Sequence, residues 1–181
     1  MRSALMPFWC KRMEYTHVTH TFGPVYDDAS RILILGSFPS VKSRENQFYY
    51  GHPQNRFWKL IAGIFNEPVP QTIEKKKDLL LTHQIAVWDV IDSCDIVGSS
   101  DSSIKNVVPN NMNVILSGAD IQGIFANGGK AYQLFVKYCS KEGMPPLGKL
   151  PSTSPANAAW SLEHLTAEWK AAFGMYLEIT E

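Results

Sequence analysis

The stretch Arg31 to Ser37, "RILILGS", constrains the fold more than any other, being a continuous apolar run that ends at Gly36. Such a run suits a strand covered on both faces, as in the interior of a parallel sheet. Ile85 to Ile91, "IAVWDVI", and Ile121 to Ala126, "IQGIFA", repeat the pattern, and Gly148 to Ser152 is a shorter fourth candidate. Helical spacings separate them. Phe57, Trp58, Leu60, Ile61, Ile64 and Phe65 recur at three and four, with Asn55 where an N-cap belongs. Thr72 to Gln84 reads as an exposed helix, Ala131, Leu134, Phe135 and Tyr138 mark another, and Leu162, Leu165, Trp169 and Phe173 form a last one that Ser161 opens.

Strand and helix therefore alternate without internal repeats. The expectation is an α/β fold, a three-layer α/β/α sandwich with a mainly parallel central sheet of about four strands and right-handed crossovers. One domain spans residues 17–181, preceded by an arm of residues 1–16. The loop from Ile91 to Asn111 is poor in apolar residues and is expected to be a solvated or substrate-facing excursion.

Composition limits the partners. The formal net charge is zero, so nucleic acid would have to be held by local positive groups and backbone amides rather than by an overall basic field. Cys10, Cys94 and Cys139 are odd in number, far apart and without a C-x-x-C pair. That spacing argues against a disulfide framework, a zinc site or an iron–sulfur cluster, so no metal or cofactor is expected and a reducing cytoplasm is the natural setting. The first sixteen residues hold no apolar run fit for a signal peptide or membrane span. A monomer without membrane attachment is expected, and the absence of a G-x-S-x-G elbow or an identifiable Ser-His-Asp set argues against an unrelated α/β hydrolase.

Ligands of open α/β sheets bind beyond the carboxyl ends of the strands. Three segments qualify: the loop after Leu35, the loop after Ala126, and "LPSTSPAN" after Lys149. The first, "GSFPSVKSRENQFYYGHPQNRFW", runs from Gly36 to Trp58. Taken singly, its residues have ordinary uses: Pro39 and Pro53 fix turns, the aromatics fill the core, and Asn55 caps a helix. Taken together, they resemble the first motif region of uracil-DNA glycosylases, especially the mismatch-specific and hypoxanthine branches. Those families pair a strand-end G-x-x-P with a downstream HP-x-NRFW, present here as Gly36 to Pro39 and His52 to Trp58. The resemblance runs from about His17 to Phe173.

The resemblance implies a uracil-DNA glycosylase-like fold and cofactor-free hydrolysis of the N-glycosidic bond of a deaminated base in DNA. Hypoxanthine would be the first substrate and uracil the second, the nucleotide being rotated out of the duplex. No lysine is placed for a Schiff base, so the product would be an intact abasic site. Two alternatives stand beside it: a uracil or mismatch-specific glycosylase, and a non-catalytic binder of damaged DNA.

One departure bears on mechanism. Uracil-cleaving relatives place Asp or Asn two residues after the motif glycine to direct water, and Phe38 stands there, unable to accept a proton. The resemblance instead places Asn55 at the pocket as the catalytic group, positioning water or base. Gly36, Ser37, Phe38 and Pro39 would wall the base pocket, Tyr50 would stack on the extruded base, Tyr49 is second choice for that wall, and His52 borders it. Ser40, Lys42 and Ser43 would lie on the DNA side.

The second loop, "LPSTSPANAAW", occupies the place of the family's "HPS" motif without its histidine, as in the hypoxanthine branch. Aligning on the proline selects Ser154, Pro155 and Ala156, whereas aligning on "LP" selects Ser152, Thr153 and Ser154, and both alignments stay open. Their hydroxyls and amides suit phosphate. Asn157 and Trp160 are candidate wedges for the gap a flipped base leaves. Lys130, in "NGGK" at a helix start, is either a phosphate contact or a solvated lysine. Asp89 and Asp92 resemble an acid pair but also suit strand ends, and neither is assigned a role.

Overall fold

The computed structural model describes residues 14–179. Four strands, β2 (Ile32–Gly36), β3 (Ile85–Asp89), β6 (Gly123–Asn127) and β7 (Leu147–Leu150), form an all-parallel sheet in the order β3-β2-β6-β7. The expected parallel sheet is present, and β2 lies inside it because Ile32, Leu33, Ile34 and Leu35 are each wholly buried. The strand order turns back around β2, so the carboxyl ends of β2 and β6 open the crevice where such sheets bind ligands.

The flanking helices are α2 (Phe57–Ile64), α3 (Ile73–Thr82), α5 (Gly129–Tyr138) and α6 (Leu162–Phe173). The Thr72 hydroxyl accepts from the Lys75 amide at the start of α3, and the Ser161 hydroxyl does the same for His164 at the start of α6. Helices α2 and α6 pack together, with Phe57, Trp169 and Phe173 fully buried. Two helices are too short to show an apolar spacing and escape sequence pattern: α1 (Val41–Asn46), capped by Ser40, and α4 (Asn113–Leu116).

The segment from Ile91 to Asn111 departs from the expected excursion. It contains β4 (Ile91–Ile96), a 3₁₀ turn (Asp101–Ser103) and β5 (Lys105–Pro109). With β1 (Thr16–Thr19) these strands form a second, antiparallel sheet in the order β1-β4-β5. Its outer strands are largely exposed, so few apolar residues are needed. Register shifts between Ile91 and Ser93, and between Ser93 and Asp95, blur the alternation that would mark β4. Ile91 thus belongs to β4 rather than to the end of β3, and Thr16 belongs to a strand rather than to the expected arm. Residues 1–13 of that arm, with Cys10, lie outside the described residues. Cys94 and Cys139 are buried thiols, and burial pushes both up to about 11. Among the described residues no helix is long and apolar enough to cross a membrane.

Candidate active site

A cavity of about 280 Å³ opens at the carboxyl ends of the parallel strands. Gly36 reaches it from β2, Asp89 from β3, Asn127 from β6, and Ser152 from just beyond β7. The first loop supplies Ser37, Phe38, Pro39, Ser40, Lys42, Ser43, Tyr49, Tyr50, His52 and Asn55, and the second adds Thr153, Ser154 and Pro155. Lys130, Ala156 and Asn157 do not line it, whereas Asp89, noticed but given no role, and Asp101 and Asn127 do.

Asn55 does two things. Its Oδ1 accepts from the Phe57 amide at 3.0 Å, which fixes which end of the amide points at the helix. No acceptor among the described residues takes its Nδ2, so what Asn55 offers the cavity is a donor. Partial positive charge at the start of α2 adds to that donor.

Tyr50 is half-buried and adopts the left-handed conformation, φ 51°, which is uncommon for a bulky side chain. Its ring stacks on Phe57 with centroids 3.8 Å apart, so one face is already covered. The hydroxyl lies beside the Asn127 amide but meets hydrogen-bond geometry with no described residue, and burial and nearby Asp89 push its pKa well up. Tyr49 is a core residue whose hydroxyl is spent on the Gly23 carbonyl, to which it donates at 2.8 Å. Phe38 is buried with the Arg44 guanidinium 5.7 Å above its ring. His52 accepts from the Gln54 amide at 3.2 Å through Nδ1, a turn contact.

On the side assigned to DNA, Ser43 is buried and its hydroxyl accepts from the Gly51 amide at 3.0 Å, an internal use. Lys42 is exposed and pairs with Glu45 at 2.7 Å, one helical turn on. Thr153 is wholly buried: its amide donates to Asn127 Oδ1 at 3.0 Å and its hydroxyl accepts from Asn127 Nδ2 at 2.9 Å. Thr153 therefore fastens the second loop to β6 instead of facing outward. Gly128, at φ 93°, admits that close approach, since a Cβ there would lie 2.9 Å from Ser152 Cβ.

Sequence reasoning missed the group that joins the loops. The Arg56 guanidinium donates from Nε to the Thr153 carbonyl at 3.3 Å and from Nη2 to the carbonyls of Ser154 at 2.7 Å and Asn157 at 2.9 Å. Nη1 donates to the Trp160 carbonyl. The planar fork gathers one loop's carbonyls around a single residue of the other. Inside that loop Ser152 Oγ accepts from the Ser154 amide, Ser154 Oγ from the Ala156 amide, and the Asn157 side chain donates to the Ser152 carbonyl. Asn157 is committed to its own loop, and Trp160 packs partly buried against the core. The position of Arg56 within "NRFW" was the available signal.

At the cavity rim, Asp101 from the 3₁₀ turn accepts from the Ser37 hydroxyl at 2.9 Å. The residue is exposed, yet crowding around its carboxyl pushes its pKa up against the pull of Ser37 and Lys130. At the floor, Asp89 Oδ2 lies 2.8 Å from His20 Nε2. Gly36 is paired in register with Asp89, and a Cβ on it would lie 2.2 Å from Asp89 Oδ1. Only glycine leaves room for this carboxylate.

The family described as the Uracil DNA glycosylase superfamily matches residues 24–177. A hypoxanthine DNA glycosylase of Methanosarcina acetivorans is 35% identical over 156 residues, covering 84% of this chain and 96% of that protein. The Methanosarcina barkeri protein of the same name is 31% identical with the same coverage. A solution NMR structure of a candidate uracil DNA glycosylase from Methanosarcina acetivorans superposes with a TM-score of 0.69 at 34% identity, covering 84% of this chain and 94% of that one. With the match spanning the parallel sheet and both cavity loops, the chain belongs to the uracil DNA glycosylase superfamily.

Proposed function

We propose that this chain is a DNA glycosylase that hydrolyses the N-glycosidic bond of deaminated bases in DNA, hypoxanthine first, leaving an abasic site. The Methanosarcina relatives carry that activity in their names. Within this molecule, the observation that carries the reading is the Asn55 Nδ2 donor, set one residue before the Arg56 N-cap of α2, fixed by the bond from the Phe57 amide to Oδ1, and open to a base-sized cavity between two family loops.

The chemistry follows from the geometry. A flipped base enters the cavity, and the ring face of Tyr50 opposite Phe57 is the one left for stacking, a contact contributing about 1–3 kcal/mol. As the glycosidic bond stretches, the sugar gains oxocarbenium character and the base gains electrons. The Asn55 donor stabilises that negative charge more in the transition state than in the ground state, which is the requirement for catalysis; water then adds to the anomeric carbon and its proton goes to the departing base, leaving the abasic sugar. Phe38 excludes water from the cavity wall without directing it, so Asn55 acts on the leaving base rather than by withdrawing a proton. Lys42, the lysine at the cavity, is engaged with Glu45, in keeping with hydrolysis without strand cleavage. The protein acts as a monomer on DNA.

The test is alkali-revealed cleavage of duplexes carrying inosine, uracil or xanthine. Wild type should nick the inosine strand only after alkali, and Asn55→Ala should be slower by about 100-fold, the typical loss of one charge-stabilising donor. Release of uracil alone would replace hypoxanthine as substrate, and tight binding with no abasic product would make the protein a binder of damaged DNA.

A further inference from the structure

The floor of the cavity holds a pair that the hydrolysis above does not use. Asp89 and His20 have side chains only 6% and 2% exposed, and they meet at 2.8 Å. Asp89 ends β3, while His20 follows β1 and so comes from the second sheet. The imidazole is wedged between Phe22, at 4.5 Å, and Phe38, at 6.2 Å. Its Nδ1 has no partner, and its Nε2–H donates to Asp89 Oδ2. Asp89 Oδ1 receives no hydrogen bond from a described residue, although Asp89 lines the cavity. Beside it stands the Tyr50 hydroxyl, buried and also without a partner; the Cβ position of Gly36 lies 2.2 Å from one oxygen and 3.6 Å from the other.

A carboxylate oxygen that faces the cavity without a donor from a described residue loses its water when a base fills the site, which is costly unless the base itself supplies a donor. Its surroundings set the required ligand: a ring N–H aimed at Asp89 Oδ1. Hypoxanthine carries one at N1. Adenine carries the reverse, a lone pair at N1 and an amino group at C6, which would set lone pair against carboxylate. We infer that Asp89, held in place by His20, is the specificity-determining residue that reads the ring N–H which deamination creates, with His20 as its positioning residue. The second sheet thereby contributes to base choice through one side chain. This inference rests on the glycosylase reading.

The experiment compares single-turnover cleavage of duplexes carrying deoxyinosine or 1-methyldeoxyinosine, which lacks the N1–H, in wild type, Asp89→Ala, His20→Phe and His20→Gln. Wild type should favour deoxyinosine by about 100-fold or more, since a site built to pair with a group rejects the analogue that lacks it. Asp89→Ala should bring the two rates within a few-fold of each other by slowing deoxyinosine. His20→Phe should compress the ratio, and His20→Gln, which keeps a donor near Nε2, should restore much of it; a purely structural histidine would alter both rates together. An unchanged ratio in a folded Asp89→Ala protein overturns the inference. Should that variant fail to fold, equal wild-type rates on the two substrates overturn it just as directly. Absence of deoxyinosine cleavage by wild type would instead overturn the glycosylase reading itself.

Discussion

The two loops that enclose the cavity are built on opposite plans. The first, from Gly36 to Trp58, works through side chains: Asn55 offers a donor, Tyr50 a ring and Phe38 a wall, each set by a strand end, a helix start or core packing. The second, from Leu150 to Trp160, is organised through its backbone, with carbonyls gathered on Arg56 and serine hydroxyls spent on neighbouring amides. Chemistry carried by side chains depends on residue identity at fixed positions. Shape carried by backbone depends on whatever holds the carbonyls, here a residue from the other loop.

The sharpest way to break this division is Arg56→Ala. Four carbonyls lose a charged donor at once, leaving the two neutral Thr153–Asn127 hydrogen bonds to tie the loop to β6. Stability should fall by about 2 kcal/mol, on the scale of losing hydrogen bonds to a partly buried charge, and inosine cleavage by more than 100-fold, chiefly through weaker DNA binding. Thermal melting and the dependence of rate on enzyme concentration check both. Arg56→Lys should recover little, because an ammonium cannot reproduce the planar fork. A second loop that kept its function without Arg56 would remove the distinction between the plans.

Gly36→Ala tests the first plan. The added Cβ would lie 2.2 Å from Asp89 Oδ1, so the carboxylate or the strand must shift inside a packed floor. Cleavage should fall by about 100-fold, as expected for displacing a reacting geometry by about an ångström, with a stability loss of about 1–3 kcal/mol. A crowded pocket should spare DNA affinity, and titration of an abasic-site duplex separates this variant from Arg56→Ala.

Legibility in the sequence followed the same physical line. The inner parallel strands could be read because burial on both faces leaves unbroken apolar runs, unlike edge strand β7, and the long helices because one buried face leaves a three-and-four spacing. The antiparallel sheet could not, because its outer strands are solvated and β4 carries register shifts. The first loop was legible through its motif. Asp89 was noticed and left unassigned, because nothing along the chain indicates that His20, 69 positions away, meets it. Thr153 and Ser43 read as surface hydroxyls, yet tertiary contacts bury both. A hydroxyl residue in a serine-rich loop carries no local mark of whether it bonds to its neighbours or to phosphate.

Lys42→Ala gives the smallest effect and sharpens the comparison where side chains meet the DNA side. The Lys42–Glu45 pair is about half exposed at both ends, so its loss should alter stability by less than about 0.5 kcal/mol. Lys42 sits on α1 at the cavity mouth, where exchanging Glu45 for a DNA phosphate would cost little. If it makes that exchange, the slope of log affinity against log salt should fall by about one, with weaker binding to every duplex alike. The preference for inosine over adenine should be untouched, since phosphate contacts carry no information about the base. An unchanged salt slope would assign Lys42 to its ion pair alone and leave the first loop's contribution confined to the pocket.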